Sequence, residues 1–254
     1  SPLVTVHLTR LTTDLGLFEH ADGDQPRPEH GFCVDDVARA LVVVVREPDR
    51  TPHLDRLLGV YLDFVLAAQS VSGAFRNRRD IDGTWTDAPT TDDHWGRALW
   101  ALGTVVSTST DPTARRRALA GARLGFLRRS PWPRSTAYAA LGAAEVLRAV
   151  PQHAPAAALL ADARRVIGGA KDDPAWPWPE PRLTYANAVL AEALLARAGW
   201  LHDDGALEES LVLLRWLVGQ QVFEDHLSPV PTGGRDPGGS GREFDQQPIE
   251  VAAL

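Results

Sequence analysis

Two kinds of apolar pattern alternate along the chain. Residues 35–46, 92–106, 133–150 and 183–198 are apolar on nearly every side. Residues 52–69 and 112–129 are amphipathic instead: Leu54, Leu57, Leu58, Tyr61, Leu62 and Val65 share one side of the first, and arginines cover the outer side of the second. Segments 155–167 and 205–221 follow the remaining apolar ones. Recurrence at helical spacing predicts helices throughout. A helix apolar all round must be buried on all sides, whereas an amphipathic one keeps a face in water. The alternation therefore predicts an inner ring of buried helices inside an outer ring, an all-α fold of the (α/α) toroid type. A short helix over 2–11 precedes the first pair. A fifth pair begins at Gln246 and breaks off at Leu254, so the C-terminal part of the toroid is expected to be missing or incomplete.

The connections differ by end. Those entering the apolar segments are long and polar, such as 16–31 and 70–91; those leaving them, 47–51 and 107–111, are short. Within 70–91, Gly73, Asp82-Gly83 and the flanking Phe75 and Trp85 predict a small hairpin. All buried helices then begin on one face, which becomes the candidate site. Two of the entries share a grammar: Gly31-Phe32-Cys33-Val34-Asp35-Asp36-Val37-Ala38-Arg39-Ala40-Leu41 and Thr91-Asp92-Asp93-His94-Trp95-Gly96-Arg97-Ala98-Leu99 align Asp35 with Asp93 and Arg39 with Arg97. An Asp at a helix start accepts hydrogen bonds from free amides and faces the positive end of the dipole. A cap needs one carboxylate, and each stretch has two adjacent acids. Asp36 and Asp92 are left over for another task.

Composition narrows the chemistry. With 254 residues, 44% of them hydrophobic, the chain can bury a full core, and residues 1–254 are taken as a single domain. The net charge is −7, and the basic residues are scattered among acids, which excludes a nucleic-acid footprint. One cysteine, Cys33, allows no internal disulfide. No apolar span suited to a membrane and no export leader is evident, so the expected location is cytoplasmic.

The loops entering the buried helices carry His30, Cys33, Trp85, Asp87, Trp132, Trp176, Trp178, Glu180, Asp245, Gln246 and Gln247. Indole faces pack on the apolar C–H faces of a pyranose, and carboxylates and amides bind its hydroxyls, so this mixture suits a sugar. Trp176 and Trp178, in a Pro-rich loop, have less reason than the others to be core. Glycoside hydrolysis needs one carboxyl that arrives protonated and one that arrives ionised. Glu180, beside Trp178 and between two prolines, is the candidate acid, because apolar surroundings disfavour the ion. Asp36 and Asp93, at helix starts, are candidate bases. A competing role for Glu180 is to cap a helix starting at Leu183. Tyr185 and Asn187 fall in the first turns of that helix, and Glu250 is a spare carboxylate near the last one. Asp35, Arg39, Asp92, His94, Trp95 and Arg97 complete the expected sugar-binding set. His30, Cys33, Asp36 and His94 are the ligand types of a competing zinc site, but the lone His30-x2-Cys33 spacing is weak, and neither metal nor cofactor is expected. The glycines at 233–234 and 238–241 lack the preceding strand and the Lys-Ser/Thr ending of a phosphate loop; they are read as a flexible loop over the mouth.

These two stretches, together with Trp178-Pro179-Glu180, Leu183-Thr184-Tyr185-Ala186-Asn187 and Phe244-Asp245-Gln246-Gln247-Pro248-Ile249-Glu250, resemble the helical domain found beside or fused to bacterial glycosyltransferases. That domain is similar in turn to the six-hairpin glycosidases. The resemblance implies a carbohydrate-active toroid, with a glycoside hydrolase as the leading activity, an oligosaccharide or glycoside as ligand and a glycosyltransferase as partner. A non-catalytic sugar-binding or scaffold partner is the main alternative. Terpenoid cyclases share the toroid, but Asp35-Asp36-Val37-Ala38-Arg39 places Arg where their Asp-Asp-x-x-Asp motif needs its last acid.

Overall fold

The computed structural model describes residues 5–239, 244–252 and 254, and it is mostly helical. Ten helices lie among these residues: α1 Val6–Leu11, α2 Val34–Arg46, α3 Pro52–Ala68, α4 Asp93–Thr108, α5 Pro112–Gly125, α6 Pro133–Ala149, α7 Ala154–Asp162, α8 Arg164–Ile167, α9 Ala188–Leu201 and α10 Asp204–Gln220. The eight strands are two residues each and pair locally: β1 Thr12–Thr13 with β2 Gly16–Leu17, β3 Ala21–Asp22 with β4 Gln25–Pro26, β5 Phe32–Cys33 with β6 Arg78–Arg79, and β7 Val222–Phe223 with β8 His226–Leu227. All four pairs are antiparallel. The expected hairpin within 70–91 is present as an Arg79–Trp85 bridge closed by the Asp80–Thr84 and Gly83–Asp80 hydrogen bonds.

α2, α4, α6 and α9 form an inner row, each packed on the next. Each is backed by the helix that follows it: α3 on α2, α5 on α4, α7 and α8 on α6, α10 on α9. The outer helices start at local signals: Thr51, Asp111, His153 and Asp203 each accept a hydrogen bond from an amide of the first turn, and proline follows at the start of α3, α5 and α7. No inner helix is capped by the side chain of its own N-cap residue, although α6 also opens with a proline, Pro133. Asp92 sits at the cap position of α4 without capping it. α2 is capped by a distant residue, because Asn77 Oδ1 accepts from the amides of Val34 (3.1 Å) and Asp35 (3.3 Å). The first turns of the inner helices are thereby left to other partners.

α4 and α6 touch backbone to backbone. A Cβ on Gly96 would lie 2.2 Å from the Ser135 carbonyl oxygen, one on Gly103 2.2 Å from that of Gly142, and one on Gly142 2.2 Å from that of Leu99. Three glycines thus set this separation, and the flanking Leu99, Leu102, Ala139 and Ala143 are fully buried.

Four sequence boundaries move. The helix expected over 183–198 begins at Ala188, because Leu183 pairs through both amide and carbonyl with Arg235 (2.9 Å each), and Asn187 Oδ1 accepts from the Thr184 amide (3.0 Å), closing a turn with Ala186 at φ +45°. Tyr185 and Asn187 lie in this turn, not in helix, and Glu180 caps nothing there. The 112–129 helix stops at Gly125, and the 155–167 helix divides at Ala163. Gln246 starts no long helix; a single 3-10 turn, Pro248–Glu250, follows. Residues 2–4 of the expected first helix, and Ser240 and Gly241 of the glycine tract, lie outside the described residues. No described helix is long and apolar enough to cross a membrane.

Candidate functional site

The N-terminal ends of the inner row meet at a cleft of about 1170 Å³. α2 contributes Asp35, α4 contributes Asp93 and His94, α6 contributes Pro133 and Arg134, and the turn before α9 contributes Thr184 and Tyr185. The entering loops add Asn77, Arg78, Asp87, Thr90, Asp92, Trp132 and Glu180.

Five carboxylates line this cleft, and each already accepts hydrogen bonds. Asp35 takes Arg97 Nη1 on one oxygen (2.7 Å) and Asn77 Nδ2 on the other (3.2 Å). Asp87 takes the amides of Asn77 (2.6 Å) and Arg78 (2.9 Å), which fixes the loop that caps α2. Asp92 takes the Trp132 indole N–H (2.9 Å) and the Thr90 hydroxyl (2.7 Å). Asp93 takes the Tyr185 hydroxyl at 2.5 Å. Burial, and then Asp93 itself, push the Tyr185 phenol well above its ordinary pKa, so it stays protonated and donates.

Glu180 is locked by Arg134. Both of its oxygens accept from that guanidinium (2.5 and 2.8 Å), which also donates to the Tyr185 carbonyl (2.5 Å) and to Asn187 Oδ1 (3.2 Å) and lies over the Tyr185 ring. The surroundings expected to be apolar therefore include a bidentate ion pair with a buried guanidinium. Behind it, Glu250 is buried and accepts from the amide of Ala186 (2.5 Å) and the side chain of Asn187 (2.9 Å). Burial raises its pKa against these bonds. Glu250 anchors the turn that carries Tyr185; it does not line the cleft.

Other expected residues lie elsewhere. Asp36 turns away to Arg39 and accepts from the Cys33 thiol (3.1 Å), which places it outside the cleft as a base. Burial, then Asp36, pushes the Cys33 thiol pKa up. Glu19, Cys33 and Asp36 offer ligand atoms within 4.8 Å of one another, but Arg78 pairs with Glu19 and Arg39 with Asp36, and the thiol is held protonated. His30 packs on His20, and His94 bonds the Phe75 carbonyl (2.9 Å), so the four residues considered for zinc do not converge. Trp178 and Trp176 are buried against Trp216, and Trp95 is buried too; all three are core rather than sugar platforms. Trp85 packs on Phe64 and Arg79. Asp245 holds Thr232, and Gln246 bonds Ser228.

A second chamber, about 610 Å³ and open to solvent, borders Tyr185 and is lined by Arg39, Arg97, Gln247 and Ile249. Tyr185 borders both spaces.

The sequence reading missed Asn77 and Arg134. Arg134 had a signal, a lone Arg at the start of an apolar helix, the same grammar as Arg97. Asn77, inside a polar loop, had none. Trp132, exposed at the rim, is the indole that borders the cleft.

No protein-family model matches this chain, and no curated protein does. In fold it is similar to the crystal structure of a sugar epimerase from a ruminal bacterium, with a TM-score of 0.68 over 92% of this chain and 72% of that one, at 13% identity.

Proposed function

We propose that this chain is a carbohydrate-active (α/α) toroid that binds a saccharide in the cleft and acts on it with Asp93 as general base. The observation that carries the reading is the Tyr185–Asp93 hydrogen bond of 2.5 Å in the wall of a cleft rimmed by an exposed indole. Asp93, the first residue of α4, lies at the positive end of the helix dipole and accepts from the Tyr185 hydroxyl. The Trp132 face suits the C–H face of a pyranose, and the carboxylates suit its hydroxyls. The inner row with its backing helices supports the toroid, and the likeness in fold to a sugar epimerase supports a sugar ligand by analogy.

Glycoside hydrolysis is the reaction we assign: Asp93 takes a proton from the attacking water as its oxygen bonds to the anomeric carbon, and the departing glycosidic oxygen takes a proton from solvent. The same base would serve proton removal beside a sugar carbonyl, the step by which a carbon centre is inverted. One specific observation favours a non-catalytic saccharide-binding partner: all five cleft carboxylates are already engaged by donors of the protein itself.

The test is incubation of wild type and Asp93→Asn with a panel of oligosaccharides and reducing sugars in D2O. New reducing ends mark hydrolysis, and deuterium on a sugar carbon marks inversion. Either must vanish in Asp93→Asn. Binding without turnover in wild type selects the partner reading, and binding of no saccharide overturns the proposal.

A further inference from the structure

The chamber bordering Tyr185 differs from the cleft in its charged lining: it has two arginines and no carboxylate. The cleft presents five carboxylates beside Arg78 and Arg134. The chamber presents donors in surplus: Arg39 gives Nε to the Asp35 carbonyl (3.2 Å) and Nη2 to Asp36, with no protein acceptor for Nη1 among the described residues. Arg97 gives Nη1 to Asp35; its Nε has no acceptor among the described residues but is buried, so the edge of the guanidinium that borders the chamber is what a ligand can reach. Arg97 is only 11% exposed in its side chain and is fixed between Asp35 and the Tyr138 ring, whose centroid lies 5.1 Å from its guanidinium carbon. Gln247, whose side-chain amide can donate, lines the same wall.

We infer that this chamber is an anion subsite, taking a carboxylate or phosphate carried by the saccharide whose hydroxyls lie in the cleft. The inference rests on the saccharide reading and names its substrate class as acidic sugars. Asp35 and Asp36 offset the two positive charges, so selection comes from the fixed forks of Arg39 and Arg97, which match a planar carboxylate or a phosphate face, rather than from net charge. Tyr185, bordering both spaces, is where the sugar ring passes from the cleft to the chamber.

The experiment is calorimetric titration of the whole chain with inorganic phosphate, D-glucuronate and D-glucose. Phosphate or glucuronate is expected to bind, with glucose at least tenfold weaker than the better anion; which anion is tighter identifies the group. Arg39→Gln, at a side chain 40% exposed, keeps the fold and should weaken that anion about tenfold while glucose changes less than twofold. Arg97→Gln should do the same, and its circular dichroism spectrum reports whether it folds. Neither anion binding, or glucose binding as tightly as glucuronate and losing as much in Arg39→Gln, overturns the inference. Glucose binding alone leaves the saccharide reading standing and removes the subsite. Phosphate binding that depends on Arg39, with no affinity for any sugar, keeps the subsite and removes the saccharide reading.

Discussion

Replacing Glu180 by Gln separates an acid from an anchor. Gln keeps one acceptor oxygen for Arg134 and turns an N–H2 group toward the other guanidinium nitrogen, so one of two charge-assisted bonds is lost and two donors face each other. Arg134 is 6% exposed in its side chain and Glu180 19%, so solvent cannot replace the lost acceptor in full. Breaking one side of a fully buried ion pair costs about 3–5 kcal/mol. Retention of one bond and the partial exposure of Glu180 bring the expected loss to about 2–3 kcal/mol. In a chain of this size that lowers Tm by roughly 5–10 °C. Tyr185, whose carbonyl and ring both rest on Arg134, should loosen as well. Urea denaturation monitored by circular dichroism reads the first effect, and saccharide affinity reads the second. An unchanged urea midpoint with intact binding and abolished turnover would refute the anchor and restore Glu180 as the acid.

Three more outcomes follow from the packing and the site. Gly142→Ala forces a Cβ to 2.2 Å from the Leu99 carbonyl oxygen and should cost about 1–3 kcal/mol or more, whereas Gly59→Ala in α3, with no atom within 4 Å, should gain about 0.5–1 kcal/mol; urea midpoints compare the two. Glu250, with its pKa raised in the folded chain, contributes stability that is full below the unfolded value of about 4.3 and lost as pH rises through the folded value. Urea midpoints between pH 4 and 7 should therefore fall more steeply in wild type than in Glu250→Gln, and equal slopes would contradict this. Tyr185→Phe should slow turnover at least tenfold while saccharide affinity changes less than threefold; a loss confined to affinity would make Tyr185 a binding residue only.

The alternation of apolar and amphipathic segments was legible because helical periodicity is a local property, and it located α2 to α6, α10 and the body of α9 within a few residues. It could not locate the start of α9, since the turn over 183–187 is held by Arg235 and Glu250, far along the chain. The repeated Asp and Arg pairs marked the right helix ends. Asp35 and Asp93 face the cleft, but Asp36, one residue on, lies about 100° around the helix and meets Arg39 instead. Trp176 and Trp178 were misjudged for a related reason: a Pro-rich loop reads as surface until Trp216 of α10 covers it. Residue type alone did not distinguish these indoles from the exposed Trp132.

The central claim is that a saccharide occupies the cleft between Trp132 and Tyr185. Its most direct test is the set of indole N–H signals in a 15N-correlated NMR spectrum during titration with the oligosaccharide panel. Trp132 donates its indole N–H to Asp92 at the cleft rim, whereas Trp178 is fully buried behind Glu180. A bound sugar should shift the Trp132 signal in a saturable way and leave Trp178 within the line width. Saturable shifts at Trp178 with Trp132 unmoved, or no shift at either with any member of the panel, would contradict the account.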